Sequence, residues 1–110
     1  MRTMSGTTSA DYKVPGGKLL RVSLSVSRAS DPPRITQVTL TGDFFMHPEE
    51  AIEELESALV GAPLERAALE ERIGTWMRGR VQLIGATPED FAHVIMAAYA
   101  NLAGRTERTS

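Results

Sequence analysis

Between Ile35 and Glu50 the hydrophobic period of this chain changes from two to 3.6, and no other feature restricts its fold as much. From Thr36 to Thr41 apolar and polar residues alternate. Val38 and Leu40 share one face, and Gln37, Thr39 and Thr41 share the other. Gly42 and Asp43 interrupt that strand: the glycine relaxes the backbone, and the aspartate can hydrogen-bond its own main chain nearby. Phe44 and Phe45 follow, then His47-Pro48-Glu49-Glu50, which reads as the start of a helix. Pro48 suits the first helical position, where no amide donor is needed, and Glu49 and Glu50 suit the positive end of the helix dipole. Strands before this point and helices after it predict an α+β sandwich with helices on one sheet face.

Upstream, residues 1–10 are rich in Ser, Thr and Gly and are expected to form a disordered tail. Tyr12-Lys13-Val14 is a short strand candidate, and Pro15-Gly16-Gly17 is a turn. From Lys18 to Ser27 the alternation is clean. Leu20, Val22, Leu24 and Val26 face one way and Arg21, Ser23 and Ser25 the other, as in an antiparallel sheet with one wet face. Ser30-Asp31-Pro32-Pro33 cannot extend a paired strand, so it is read as a connection. The strand from about Arg34 then returns antiparallel. The result is a meander of two to three strands, covered on one face by three helices.

The first helix carries Ile52, Leu55 and Leu59 on one stripe, with Ala51 and Ala58 beside it. Gly61 is its C′ residue and Pro63 prevents continuation. A second helix is expected from about Leu64 to Arg78, with Leu69, Ile73 and Trp76 on one face, Gly74 weakening it and Gly79 ending it. Residues 81–85 are a short apolar linker or a stub of strand. Thr87 caps a third helix with Pro88 at its first position. Phe91, Val94, Ile95, Ala98 and Leu102 form its buried stripe, Gly104 stops it, and residues 105–110 are a polar tail.

A chain of 110 residues fits one domain with one modest core. Its net charge of −2 creates no global attraction for nucleic acid or an anionic membrane. No apolar run approaches the roughly 20 residues of a membrane span. Cysteine is absent, which removes disulfides, thiolate metal sites and cysteine nucleophiles, and fits a reducing cytoplasm.

Little in the chain supports chemistry of its own. Glu49, Glu50, Glu53, Glu54 and Glu56 are read as a solvated helix face, because a general base needs a cleft and a shifted pKa. His47 at a helix start and His93 on the polar side of the third helix are two histidines in unrelated places, which do not make a metal site, and each reads as a helix-end cap or an exposed side chain. No Gly-x-Ser-x-Gly elbow exists. Gly16-Gly17-Lys18 lacks the upstream glycine and the hydroxyl of a phosphate loop and opens a strand, so it is read as a hairpin turn. Lys18 there remains able to touch a ligand held by another protein. Phe44 and Phe45 point to opposite sides in regular strand geometry. One is expected to pack under the first helix and the other to lie at an edge or interface, while Trp76 is assigned to the core.

Three stretches carry a family resemblance: Gly16-Gly17-Lys18-Leu19-Leu20-Arg21-Val22, Thr41-Gly42-Asp43-Phe44-Phe45, and Pro48-Glu49-Glu50-Ala51-Ile52-Glu53-Glu54-Leu55-Glu56. Together they resemble the accessory, C-terminal domain of lipoate–protein ligases, over residues 13–102. The resemblance implies a single accessory domain at 11–104. It also implies a non-catalytic subunit that works with a separate catalytic subunit in ATP-dependent activation of lipoate to lipoyl-adenylate. Lipoate, ATP and magnesium would then be handled by that partner, and lipoyl-acceptor proteins would be met only indirectly. The chain has no Arg-Arg-x-Gly-Gly-Gly segment of the catalytic domain, so it is not expected to activate lipoate alone. Partner contact is expected at Gly42, Asp43, Phe44, Phe45, Pro48, Glu49 and Glu50. The alternative is a stand-alone binding module resembling sulfur or Fe–S assembly scaffolds, which the lack of cysteine disfavours.

Overall fold

The computed structural model describes residues 5–16, 18–29 and 31–108. Its first three strands, β1 (Ser5–Lys13), β2 (Leu19–Ser27) and β3 (Arg34–Gly42), form an antiparallel meander in that spatial order. The alternation read from the sequence sets the register. Leu20, Val22, Leu24, Val26, Val38 and Leu40 are buried, and Arg21, Ser23 and Thr39 are exposed. One irregularity interrupts the β2–β3 ladder: Ser25 pairs with Gln37 but Val26 pairs with Ile35, so Thr36 is an extra residue.

The expected tail is corrected from Ser5 onward. Residues 5–10 belong to β1, which pairs with β2 along its whole length, from Ser5 opposite Ser27 to Lys13 opposite Leu19. Ser and Thr are adequate residues for an edge strand, and Thr8, Ala10 and Tyr12 turn inward as alternation requires. Residues 1–4 of that tail, Gly17 of the turn, Ser30 of the connection and residues 109–110 lie outside the described residues.

A second sheet was not expected. β4 (Phe45–His47) pairs antiparallel with β5 (Gln82–Ile84), so the apolar stub at 81–85 is a strand because the segment after Asp43 is one too. The helices are α1 (Ala51–Leu59), α2 (Arg66–Met77) and α3 (Pro88–Arg108). α1 lies against β3, α3 lies against β1 and β2, and α2 packs on α1 and α3. All three contribute to one core, in which Leu55, Leu59, Leu69, Ile73, Phe91 and Ile95 are fully buried.

Three helix boundaries differ from expectation. α1 begins at Ala51, so Pro48 precedes the helix and is not its first residue; residues 48–50 form a turn in which the Pro48 carbonyl accepts the Ala51 amide at 3.0 Å. Leu64 is outside α2 because its amide donates to the Pro33 carbonyl at 2.9 Å, fastening the α1–α2 connection to β3. α3 continues through Gly104 to Arg108. A single glycine costs a helix only about 1 kcal/mol, and the following polar residues place no proline in its way. Its start is as read: Asp90 N donates to Thr87 Oγ1 at 3.2 Å and Thr87 N donates to Asp90 Oδ2 at 2.9 Å, a reciprocal cap.

Candidate functional site

At one end of the meander the chain brings together the β1–β2 turn, the end of β3, the β4–β5 ribbon and the start of α1. Gly42 makes the junction possible. Its φ of +144° suits glycine, and a Cβ there would overlap the Leu19 carbonyl. The Asp43 amide donates to that carbonyl at 2.8 Å. The bond that fastens Asp43 is thus made by its main chain to β2, whereas the sequence suggested its carboxylate bonding locally. Lys18, exposed in the hairpin turn, is the neighbour of Leu19, so the fold places it beside Gly42 and Asp43. Gly85, with φ +98°, packs against the same corner: a Cβ on it would stand 3.1 Å from the Asp43 carbonyl oxygen.

The two phenylalanines part as alternation requires, but to different neighbours than expected. Phe44 is half-buried and meets Phe91 of α3 edge-on, with ring centroids 5.2 Å apart, so it packs under the third helix instead of the first. Phe45 is 75% exposed. Opposite it in the ribbon stands Ile84, itself 55% exposed, and the pair makes an apolar patch on the outer face. Sequence reasoning missed Ile84, because residues 81–85 gave no sign of which strand they would join. Leu40, Gly42, Phe44, Phe45, Glu49 and Ile52 line a cleft of about 360 Å³ beside this patch.

Glu49 lines the cleft, and Pro48, Glu49 and Glu50 are all exposed. The α1 amides are less open to an anion than expected, since those of Ala51 and Ile52 donate to the carbonyls of Pro48 and Glu49. Glu53 and Glu54 are exposed on the first turn of α1. Glu56 is not part of that solvated face. Its Oε2 accepts the Leu40 amide at 2.8 Å, capping the outer edge of β3. Between Arg34 and Arg66 the chain carries seven carboxylates and neither lysine nor arginine, a segregation legible in the sequence and masked by a net charge of −2.

The remaining candidates lie elsewhere. His47 is exposed in β4 opposite Gln82 and caps no helix. His93 is half-buried, stacked on Tyr12 with centroids 4.1 Å apart and 3.3 Å from Arg66 Nη1, so it joins β1, α2 and α3 instead of standing in solvent. Trp76 is only half-buried. It lines a cleft of about 500 Å³ with Pro63 and Arg72, and the Arg80 guanidinium sits 5.5 Å from its ring centroid. Asp11 and Arg21 form an exposed ion pair at 2.8 Å. The Arg21 hydrogen bond lowers the Asp11 pKa, and Asp11 raises that of Arg21. Among the described residues no three His, Cys, Asp or Glu side chains converge as a metal site would require. No described helix is long and apolar enough to cross a membrane. The corner thus presents the exposed Phe45–Ile84 pair beside exposed carboxylates.

Known proteins resemble the chain in sequence and in fold. Residues 7–95 match the family model described as bacterial lipoate protein ligase C-terminus. The chain is 34% identical over 93 residues to lipoate-protein ligase A subunit 2 of Thermoplasma acidophilum, spanning 84% of this chain and 92% of that one. Among solved structures it matches a chain from a bi-partite lipoate protein ligase and its E2 lipoyl domain, from the same archaeon. The TM-score is 0.67 and the identity 33%, over 83% of this chain and 96% of that one.

Proposed function

The chain belongs to the lipoate protein ligase C-terminus family, and from that membership we propose that it is the non-catalytic accessory subunit of a two-part lipoate–protein ligase. The observation that carries this reading is the match to a subunit 2 over most of both chains, in sequence and in fold. Its work is done with a separate catalytic subunit, which activates lipoate with ATP to lipoyl-adenylate. Lipoate, ATP and magnesium are held by that subunit, as the family membership implies. Lipoyl-acceptor proteins are met through the catalytic subunit, and a chain without cysteine suits the reducing cytoplasm.

Contact with the partner is made at the corner: Gly42 and Asp43 shape it, Phe44 braces it from within, and Phe45, Pro48, Glu49 and Glu50 present it, with Lys18 at its margin. Seating this domain over the catalytic site would exclude water from a labile acyl-adenylate. The test is a binding titration of the purified chain against its catalytic subunit, followed by separate assays of the two half-reactions. A defined complex is expected, with the chain needed for adenylation and needed far less for transfer from preformed lipoyl-adenylate. Absence of a complex, or equal dependence of both half-reactions, would refute the assignment.

A further inference from the structure

Half of the outer edge of β3 is closed by the chain itself. The Leu64 amide donates to the Pro33 carbonyl, Gly61 to Ile35 at 2.7 Å, and Ile35 to Ala62 at 2.9 Å. The other half is built differently. Because the Asp43 amide bonds to Leu19, the register makes Thr41 with Arg21 and Thr39 with Ser23 the hydrogen-bonded pairs, so Val38, Leu40 and Gly42 turn their amides and carbonyls away from β2. Glu56 meets the Leu40 amide; those of Val38 and Gly42 have no partner among the described residues. A shallow cleft lies on each side of the Leu40–Glu56 bond. One, of about 250 Å³, separates Val38 from Glu53, Ser57 and Val60. The other is the corner cleft, between Gly42 and Phe45, Glu49 and Ile52. Val60 and Phe45, 50% and 75% exposed, stand at the two ends.

We propose that this edge receives an extended, basic segment of the catalytic subunit as an added β-strand, an inference that rests on the accessory-subunit reading above. Unpaired main-chain groups along an edge call for main-chain groups in return, and the flanking clefts receive alternate side chains of the added strand. The charge names the chemistry of the occupant: every ionisable side chain lining the two clefts is a carboxylate, Glu49, Glu53 or Glu56. A second copy of this chain pairing edge to edge would set these carboxylates against one another, which disfavours self-association. Sheet edges left open invite indiscriminate pairing, and an inward-pointing charge is a common guard. Glu56 is that guard in the free chain. When the strand arrives it takes over the Leu40 amide, and the released carboxylate pairs with a lysine or arginine of the incomer.

Amide hydrogen exchange followed by NMR on the labelled chain, alone and with its unlabelled catalytic subunit, tests this. In the free chain Val38 and Gly42 exchange fast and Leu40 more slowly. With the subunit at a hundred times Kd, Val38 and Gly42 slow by about 100-fold. Glu53→Lys, an exposed change, weakens binding by roughly tenfold or more, and added salt narrows the difference from wild type. If the complex forms and both amides still exchange as in the free chain, the added strand is wrong while the accessory assignment stands. If no complex forms, both fall.

Discussion

At the scale of single residues, Thr8 is a misfit and Gly42 a requirement. Thr8 is 4% exposed and its Oγ1 has no hydrogen-bond partner among the described residues. A buried hydroxyl without a partner costs stability, so Thr8→Val is expected to stabilise the fold by about 1 kcal/mol, read as a melting temperature a few degrees higher. A lower melting temperature would mean the hydroxyl is satisfied. Gly42 is the requirement: its backbone conformation and the Leu19 carbonyl both exclude a side chain, so Gly42→Ala should cost more than about 1 kcal/mol in denaturant unfolding. Phe45 is the opposite case. Being 75% exposed, it can be cut to alanine with stability held within about 0.5 kcal/mol. As an interface anchor its loss should weaken binding to the catalytic subunit by about 2 kcal/mol, measured by calorimetric titration. Unchanged affinity in both Phe45→Ala and Asp43→Asn would remove the corner from the interface.

At the scale of elements, stability rests on a few apolar rows. Leu55 is fully buried between α1 and the sheet, and Leu55→Ala should cost about 2–5 kcal/mol in chemical denaturation. A midpoint that does not move would put α1 off the sheet. Elements were legible in the sequence where one face is apolar and the other wet. The rows Leu20-Val22-Leu24-Val26 and Val38-Leu40 gave both register and burial. β1 was not legible, because its inward residues include a threonine and an alanine, and composition alone cannot distinguish such a strand from a tail. The β4–β5 ribbon was hidden for another reason. Each strand has only three residues, too few for a period, and each depends on the other for its hydrogen bonds, although their central residues, Met46 and Leu83, are far apart in the chain. The start of α1 was misplaced by three residues, since Pro-Glu-Glu serves a turn before a helix as well as it serves the first turn of one.

At the scale of the whole molecule, the charge is unevenly spread, and net charge conceals it. Seven of the fourteen carboxylates lie between Arg34 and Arg66, on a stretch that ends one sheet edge and begins the helix beside it. The Gly-Asp-Phe-Phe and Pro-Glu-Glu stretches stand out in the sequence, and the fold brings Ile84, distant in the chain, opposite Phe45. The accessory role rests on the match to a ligase subunit 2 in sequence and in fold. The most direct measurement is lipoate-dependent exchange between ATP and pyrophosphate, made with this chain alone, with the catalytic subunit alone, and with both. Exchange is expected only in the mixture. Exchange by this chain alone, or full exchange by the catalytic subunit without it, would contradict the accessory role.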